Sequence, residues 1–317
     1  MKIAVITPVS HLSGIEDLLS NKGKVFYLEY GSKKEVKSLL LKEGITTIVC
    51  NPNHQSYKID QELLDGTKVR LINTCSTGLN HIDLEYCDKK SITIYSLKDD
   101  YELINQLPST AELAFTLMMC LLRRIPQCIS HVANGGWDYT QFMGRQVKDL
   151  TIGIVGFGRL GRMMARYCGS FGANVLVYDP PLFNYMGVDN PMHGVNHANT
   201  LDDLFKKCDV ISLHVHVSDE TKYMINKNLI KLSKKDLYII NTSRGEIVNE
   251  NDIVNSLRSG HLYGYGTDVV EDEFENLQGS VIINGMNEGL NIITTPHIGG
   301  MTIEGQQKAY TWAINKL

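Results

Sequence analysis

Short β-branched and apolar runs alternate with amphipathic stretches almost from one end of the chain to the other. Strand-like runs fall at residues 2–7, 25–28, 46–50, 69–74 and 93–97. Segments of helical period lie between them; residues 33–42, for example, place Val36, Leu39, Leu40 and Leu41 on a turn-by-turn repeat. The pattern resumes at 151–155, 174–178, 209–214, 237–241, 263–268 and 291–295. Strands alternating with helices build right-handed βαβ units, so the expected fold is α/β with mostly parallel sheets.

One long helical segment separates the two series. Ser109 follows Pro108 and stands three residues before Glu112, the pattern of a capping box. The apolar run 111–122 follows and continues toward Ile129. A helix this apolar is expected to be buried nearly all round, between domains or between subunits, and the chain divides there. A length of 317 residues agrees with about two domains.

Composition narrows the partners. With 43% apolar and 21% charged residues the chain has ample core and is not disordered. The net charge of −4 argues against nucleic acid or an anionic membrane as partner, though not against a small anion held locally. The opening MKIAVITPVS lacks the layout of a signal peptide, and the run 113–122 is about half of the ~20 residues needed to cross a bilayer. Seven cysteines are scattered without a CxxC pair, which points to reduced, buried thiols in a cytoplasmic protein.

The most informative stretch is TIGIVGFGRLG, residues 151–161. An apolar strand leads into Gly156, Gly158 and Gly161, a helical stretch follows, and a second strand ends at Asp179. That is the context a dinucleotide fingerprint requires. Gly156 allows the tight turn, Gly158 lets main chain approach a pyrophosphate, and Gly161 lets helix and strand pack closely. Asp179 can accept from a ribose diol and would repel a 2′-phosphate, favouring NAD over NADP.

In open parallel sheets ligands bind beyond the carboxyl ends of strands, and three polar groups fall at such ends. Arg244 follows strand 237–241, Glu273 follows 263–268, and His297 follows 291–295. A guanidinium suits a carboxylate or polarised carbonyl, an imidazole suits proton exchange, and a carboxylate beside the imidazole would orient it. Taken singly, Arg244 also reads as a helix-entry residue, Glu273 as part of a solvated acidic run, and His297 as structural.

These motifs together resemble the D-isomer-specific 2-hydroxyacid dehydrogenase family, of the phosphoglycerate dehydrogenase type without a regulatory domain. The resemblance rests on STGLNHID (76–83), GFGRLG (156–161), SLHV (212–215), NTSRGEIV (241–248), GTDV (266–269) and TPHIGG (295–300). It implies two Rossmann-like lobes with a cleft between them: residues 1–103 with 297–317 for substrate, and 104–296 for NAD. It also implies Arg244, Glu273 and His297 as the catalytic set. Main-chain groups around Ser76, Thr77 and Gly78 would hold the substrate. Cofactor contacts would come from Gly156, Gly158, Arg159, Leu160, Gly161, Asp179, His214, Thr242 and Asp268. The expected activity is interconversion of a small D-2-hydroxy acid and its 2-oxo acid with NAD, in a homodimer joined through the NAD-binding domain. An NAD(H)-sensing, corepressor-like module and a phosphite-type dehydrogenase are the alternatives.

Departures from the family pattern are His216 and Phe274, where proline is usual, and a long acidic segment at 98–107. Residues 184–199 read as a variable loop; His193 and His197 within it are not expected to bind metal.

Overall fold

The structure, a computed structural model, describes residues 1–52, 57–180, 195–271, 273 and 277–317. The chain divides into two compact units, Met1–Leu107 with Gly300–Leu317, and Pro108–Gly299. The boundaries fall a few residues beyond those expected at 103 and 296, for reasons visible in the packing. Leu103 and Ile104 are buried in the same cluster as Tyr310 and Ala313 of the C-terminal helix, which keeps them in the first unit. The Ile298 and Gly299 N–H groups donate to Asp268, and Thr110 donates to the Gly299 carbonyl, which keeps those residues in the second.

The first unit is a five-stranded parallel sheet of β1 (Lys2–Val5), β2 (Lys24–Tyr27), β3 (Thr47–Cys50), β4 (Leu71–Thr74) and β5 (Thr93–Tyr95), in the order β2-β1-β3-β4-β5. Alternation along β1 sends Ile3 and Val5 to one face, against Leu19 and the helix Ile303–Asn315, and Ala4 to the other, against Val36 and Leu40. The helix Lys33–Glu43 starts at a full Ser32–Glu35 capping box and stops at Gly44, whose φ of 62° is left-handed.

The second unit is a seven-stranded parallel sheet of β6 (Thr151–Val155), β7 (Asn174–Tyr178), β8 (Val195–His197), β9 (Val210–Leu213), β10 (Leu237–Asn241), β11 (Leu262–Thr267) and β12 (Ile292–Thr294), in the order β12-β11-β10-β9-β6-β7-β8. The chain reverses direction across the sheet between β6 and β9, the position where open α/β sheets hold ligands. Strand β8 lies inside the segment read as a loop. Three residues, two of them polar, are too few to display a period, and pairing with β7 makes the strand. His193 falls outside the described residues.

The apolar segment after Pro108 departs from its sequence reading. Ser109 is the first helical residue of Ser109–Leu122 rather than its cap: Pro108 is already in the helical region, and its carbonyl accepts from Ala111 and Glu112. Leu117 and Leu121 pack on β11 where it carries Gly264 and Gly266; a Cβ at either glycine would stand 3.0–3.3 Å from these leucines. Glu112 and Thr116 on the other side are exposed, so burial is one-faced. At Arg124, with φ 51°, the chain bends by 60° into a second helix, Ile125–Ala133, that buries none of its residues. Among the described residues no single helix is long and apolar enough to cross a membrane. All seven cysteines are free thiols, five of them buried.

Candidate active site

Two of the three glycines after β6 are sterically required, and the third faces open space. Gly156 has φ 87°, and a Cβ there would stand 2.4 Å from the His214 carbonyl oxygen. A Cβ at Gly161 would stand 2.0 Å from the Gly156 carbonyl oxygen, whereas one at Gly158 meets nothing within 4 Å. The loop is thus locked below and open above. The helix Arg159–Ser170 begins immediately, with no side chain capping it, leaving a helix N-terminus of the kind that receives phosphate.

Asp179, just beyond β7, reaches back over this loop, and its Oδ2 accepts the Phe157 N–H at 2.6 Å. Arg159 and Leu160 open the helix half-buried, and burial lowers the Arg159 pKa. His214 follows β9; its Nε2 lies 2.8 Å from Ser212 Oγ, and burial pushes its pKa down to about 4. The His214 Nδ1 and Thr242 Oγ1 atoms are buried with no hydrogen-bond partner among the described residues. Buried polar atoms are normally satisfied, so these two, His214 after the strand next to the glycine cradle and Thr242 after the strand beyond it, fit a polar ligand such as a dinucleotide.

The second constellation leaves the same edge of the sheet. Strands β10, β11 and β12 are adjacent and in register through Asn241, Thr267 and Thr294. Arg244, Asp268 with Glu273, and His297 follow from these three strand ends. Asn241 Nδ2 donates to the Arg244 carbonyl at 2.8 Å, fixing the turn that presents this half-buried arginine. The next residue must be glycine: a Cβ at Gly245 would lie 2.2 Å from the Glu271 nitrogen. This contact lays the arginine turn against the segment that carries Glu273.

Glu273 and His297 meet directly, Oε1 and Oε2 lying 2.9 and 3.0 Å from Nδ1. Their side chains are only 14% and 21% exposed. His297 has a left-handed backbone, φ 53°. Its N–H donates to the Asp268 carbonyl at 3.0 Å, while the Asp268 carboxylate accepts from Thr295 Oγ1 (2.6 Å) and from the N–H groups of Ile298 (2.8 Å) and Gly299 (2.7 Å). Burial raises the Asp268 pKa and these hydrogen bonds oppose the rise. Asp268 therefore clamps the loop that carries His297. Two residues that sequence reasoning missed brace the neighbouring segment: Tyr223 donates to the Glu271 carboxylate, and Glu250 Oε1 accepts the Glu271 N–H at 2.9 Å. Neither belongs to a local motif, so only the packing around Gly245 reveals them.

Ser76, Thr77 and Gly78 lie in the first unit, beyond the carboxyl end of β4. Ser76 Oγ donates to the Gly78 carbonyl at 2.8 Å, and Thr77 is exposed.

Residues 115–299 match the family model for the D-isomer specific 2-hydroxyacid dehydrogenase, NAD binding domain. The chain belongs to this dehydrogenase family. It is 28% identical over 312 residues to D-3-phosphoglycerate dehydrogenase of Methanocaldococcus jannaschii, covering 98% of this chain and 56% of that protein. It is 30% identical to hydroxypyruvate reductase of Thermotoga maritima, covering 82% of this chain and 80% of the reductase. Among solved structures, D-lactate dehydrogenase from Aquifex aeolicus, complexed with NAD and lactic acid, superposes with a TM-score of 0.76 at 28% identity, covering 100% of this chain and 94% of that one. For this dehydrogenase-family chain NAD is the cofactor, and the glycine cradle, Asp179 and the orphaned atoms of His214 and Thr242 suit it.

Proposed function

We propose that the protein interconverts a small D-2-hydroxy acid and its 2-oxo acid. The observation that carries this reading is the paired His297–Glu273 at strand ends adjacent to the Arg244 turn. In the reducing direction Arg244 holds the substrate's carboxylate or carbonyl oxygen through its planar fork; within the first unit, the Thr77 and Gly78 N–H groups are the ones suited to a carboxylate. His297, with Nδ1 tied to Glu273, delivers a proton from Nε2 to the carbonyl oxygen. Glu273 balances the charge of the protonated ring. Bound NAD supplies the hydride exchange. Its pyrophosphate would rest on Gly156, Gly158 and Gly161 and the first turn at Arg159 and Leu160; Asp179 would take the ribose diol, and His214, Thr242 and Asp268 the remaining polar edges.

A homodimer is part of the proposal. Ile125, Ile129 and Val132 form one exposed apolar stripe on the helix Ile125–Ala133 at 39, 64 and 51% exposure, and Trp137, Tyr139 and Met143 follow at more than 80%. A stripe of this kind on the NAD-binding unit suits a second copy of the chain.

An NADH-oxidation screen over glyoxylate, hydroxypyruvate, pyruvate, 2-oxoglutarate and phosphohydroxypyruvate tests the activity. Tight NADH binding without turnover of any of these acids would replace it with the sensing module.

A further inference from the structure

Behind the loop at Ser76–Gly78 lies a buried histidine to which the proposed chemistry gives no role. His81 is 2% exposed, its carbonyl accepts the Ile59 N–H at 2.8 Å, and the bridge between Ile59 and Ile82 pins the next residue. His81 Nε2 lies 3.0 Å from Thr74 Oγ1, and Thr74 Oγ1 lies 2.9 Å from Ser76 Oγ. Thr74 is fully buried.

Counting protons gives the chain a direction. A hydroxyl has one hydrogen to donate, and Ser76 spends its own on the Gly78 carbonyl, which can only accept. Thr74 must then donate to Ser76, so its oxygen accepts from the ring. His81 therefore carries hydrogen on Nε2. The relay runs one way, from His81 through Thr74 and Ser76 to the Gly78 carbonyl. The Cys50 thiol, 3.7 Å from the same ring nitrogen, is pushed up to about 12 by burial and brings no charge.

The ring closed between Ser76 Oγ and the Gly78 carbonyl contains the Thr77 and Gly78 N–H groups. Tying this carbonyl down removes a lone pair that would repel an anion and fixes the two peptide planes before substrate arrives. We propose that His81 and Thr74 are positioning residues that preorganise this loop for the substrate carboxylate. The inference rests on the reading of Thr77 and Gly78 given above.

Wild type, Thr74→Val, Thr74→Ser and Ser76→Ala are assayed with hydroxypyruvate and glyoxylate, and NADH affinity is titrated by fluorescence. Thr74→Val should raise KM for the oxo acid about tenfold with kcat within about twofold, the signature of lost uniform binding. NADH affinity should not move, and Thr74→Ser should restore KM. Ser76→Ala cuts the last link and should match Thr74→Val; it stands in if the valine variant fails to fold. Unchanged KM, or a joint loss of kcat and NADH affinity, overturns the relay. Nitrogen-15 NMR of His81 gives a check independent of turnover: the Nδ1–H tautomer overturns the relay outright. Wild type inactive on every acid screened, with the Nε2–H tautomer present, overturns the substrate reading and with it the relay's purpose.

Discussion

His297 and Glu273 are joined through Nδ1 at 2.9 and 3.0 Å, so this ring nitrogen is committed to a carboxylate and the proposed proton exchange falls to Nε2. His297→Ala should therefore reduce kcat by about 10²–10⁴-fold while leaving NADH affinity within about twofold. Stopped-flow or steady-state NADH oxidation with parallel fluorescence titration checks this. Comparable losses in both would remove the histidine from the chemistry.

Glu273→Gln keeps an oxygen for Nδ1–H but loses the counter-charge to the protonated ring. Turnover should fall about tenfold or more, with KM for the oxo acid changed far less. A variant with full kcat would leave Glu273 a loop residue.

Arg244→Lys replaces a planar fork by a point charge, and the half-buried turn held by Asn241 gives the shorter head no second geometry. The loss in kcat/KM should be on the order of 10²-fold, carried by the oxo acid and absent from NADH binding.

The half-buried, neutral His214 makes stability depend on pH. Its folded pKa of about 4 lies below the ordinary 6.5, so the unfolded chain binds the extra proton first as pH falls. The contribution is full above about 6.5 and is lost progressively down to about 4, on the order of 3 kcal/mol in all. Denaturant melts across this window should show a flatter pH dependence for His214→Asn than for wild type.

Ile129, 64% exposed at the middle of the apolar stripe, should report on assembly. Ile129→Asp is expected to turn a dimer into a monomer by light scattering, with melting of the NAD-binding unit otherwise retained. A wild-type monomer at micromolar concentration would refute the homodimer.

The parts of this molecule that show in the sequence are those built from neighbours along the chain. Gly156, Gly158, Gly161 and Asp179 belong to one strand–helix–strand unit; neighbouring backbone demands glycine at 156 and 161, and Gly158 leaves the open space above the loop. Arg244 and His297 show because strand ends mark them. Glu273 sits in an acidic run, where no local signal separates it from Glu271; only the family register singled it out, and the fold brings it to His297. The division of the apolar run at Arg124 is set by a left-handed residue that hydrophobic period cannot register, and strand β8 by pairing with β7. The His81 relay is an interaction across a buried turn, with no period or spacing of its own.

The left-handed backbone at His297 sets conformational comfort against activity at a single position. A side chain there tolerates a geometry that glycine adopts freely, at a cost of roughly 1 kcal/mol. His297→Gly should consequently melt higher than His297→Ala, with turnover lowered to the same extent in both. Thermal robustness by itself would favour glycine at this position, and the proton delivery proposed above is what an imidazole supplies there and glycine does not.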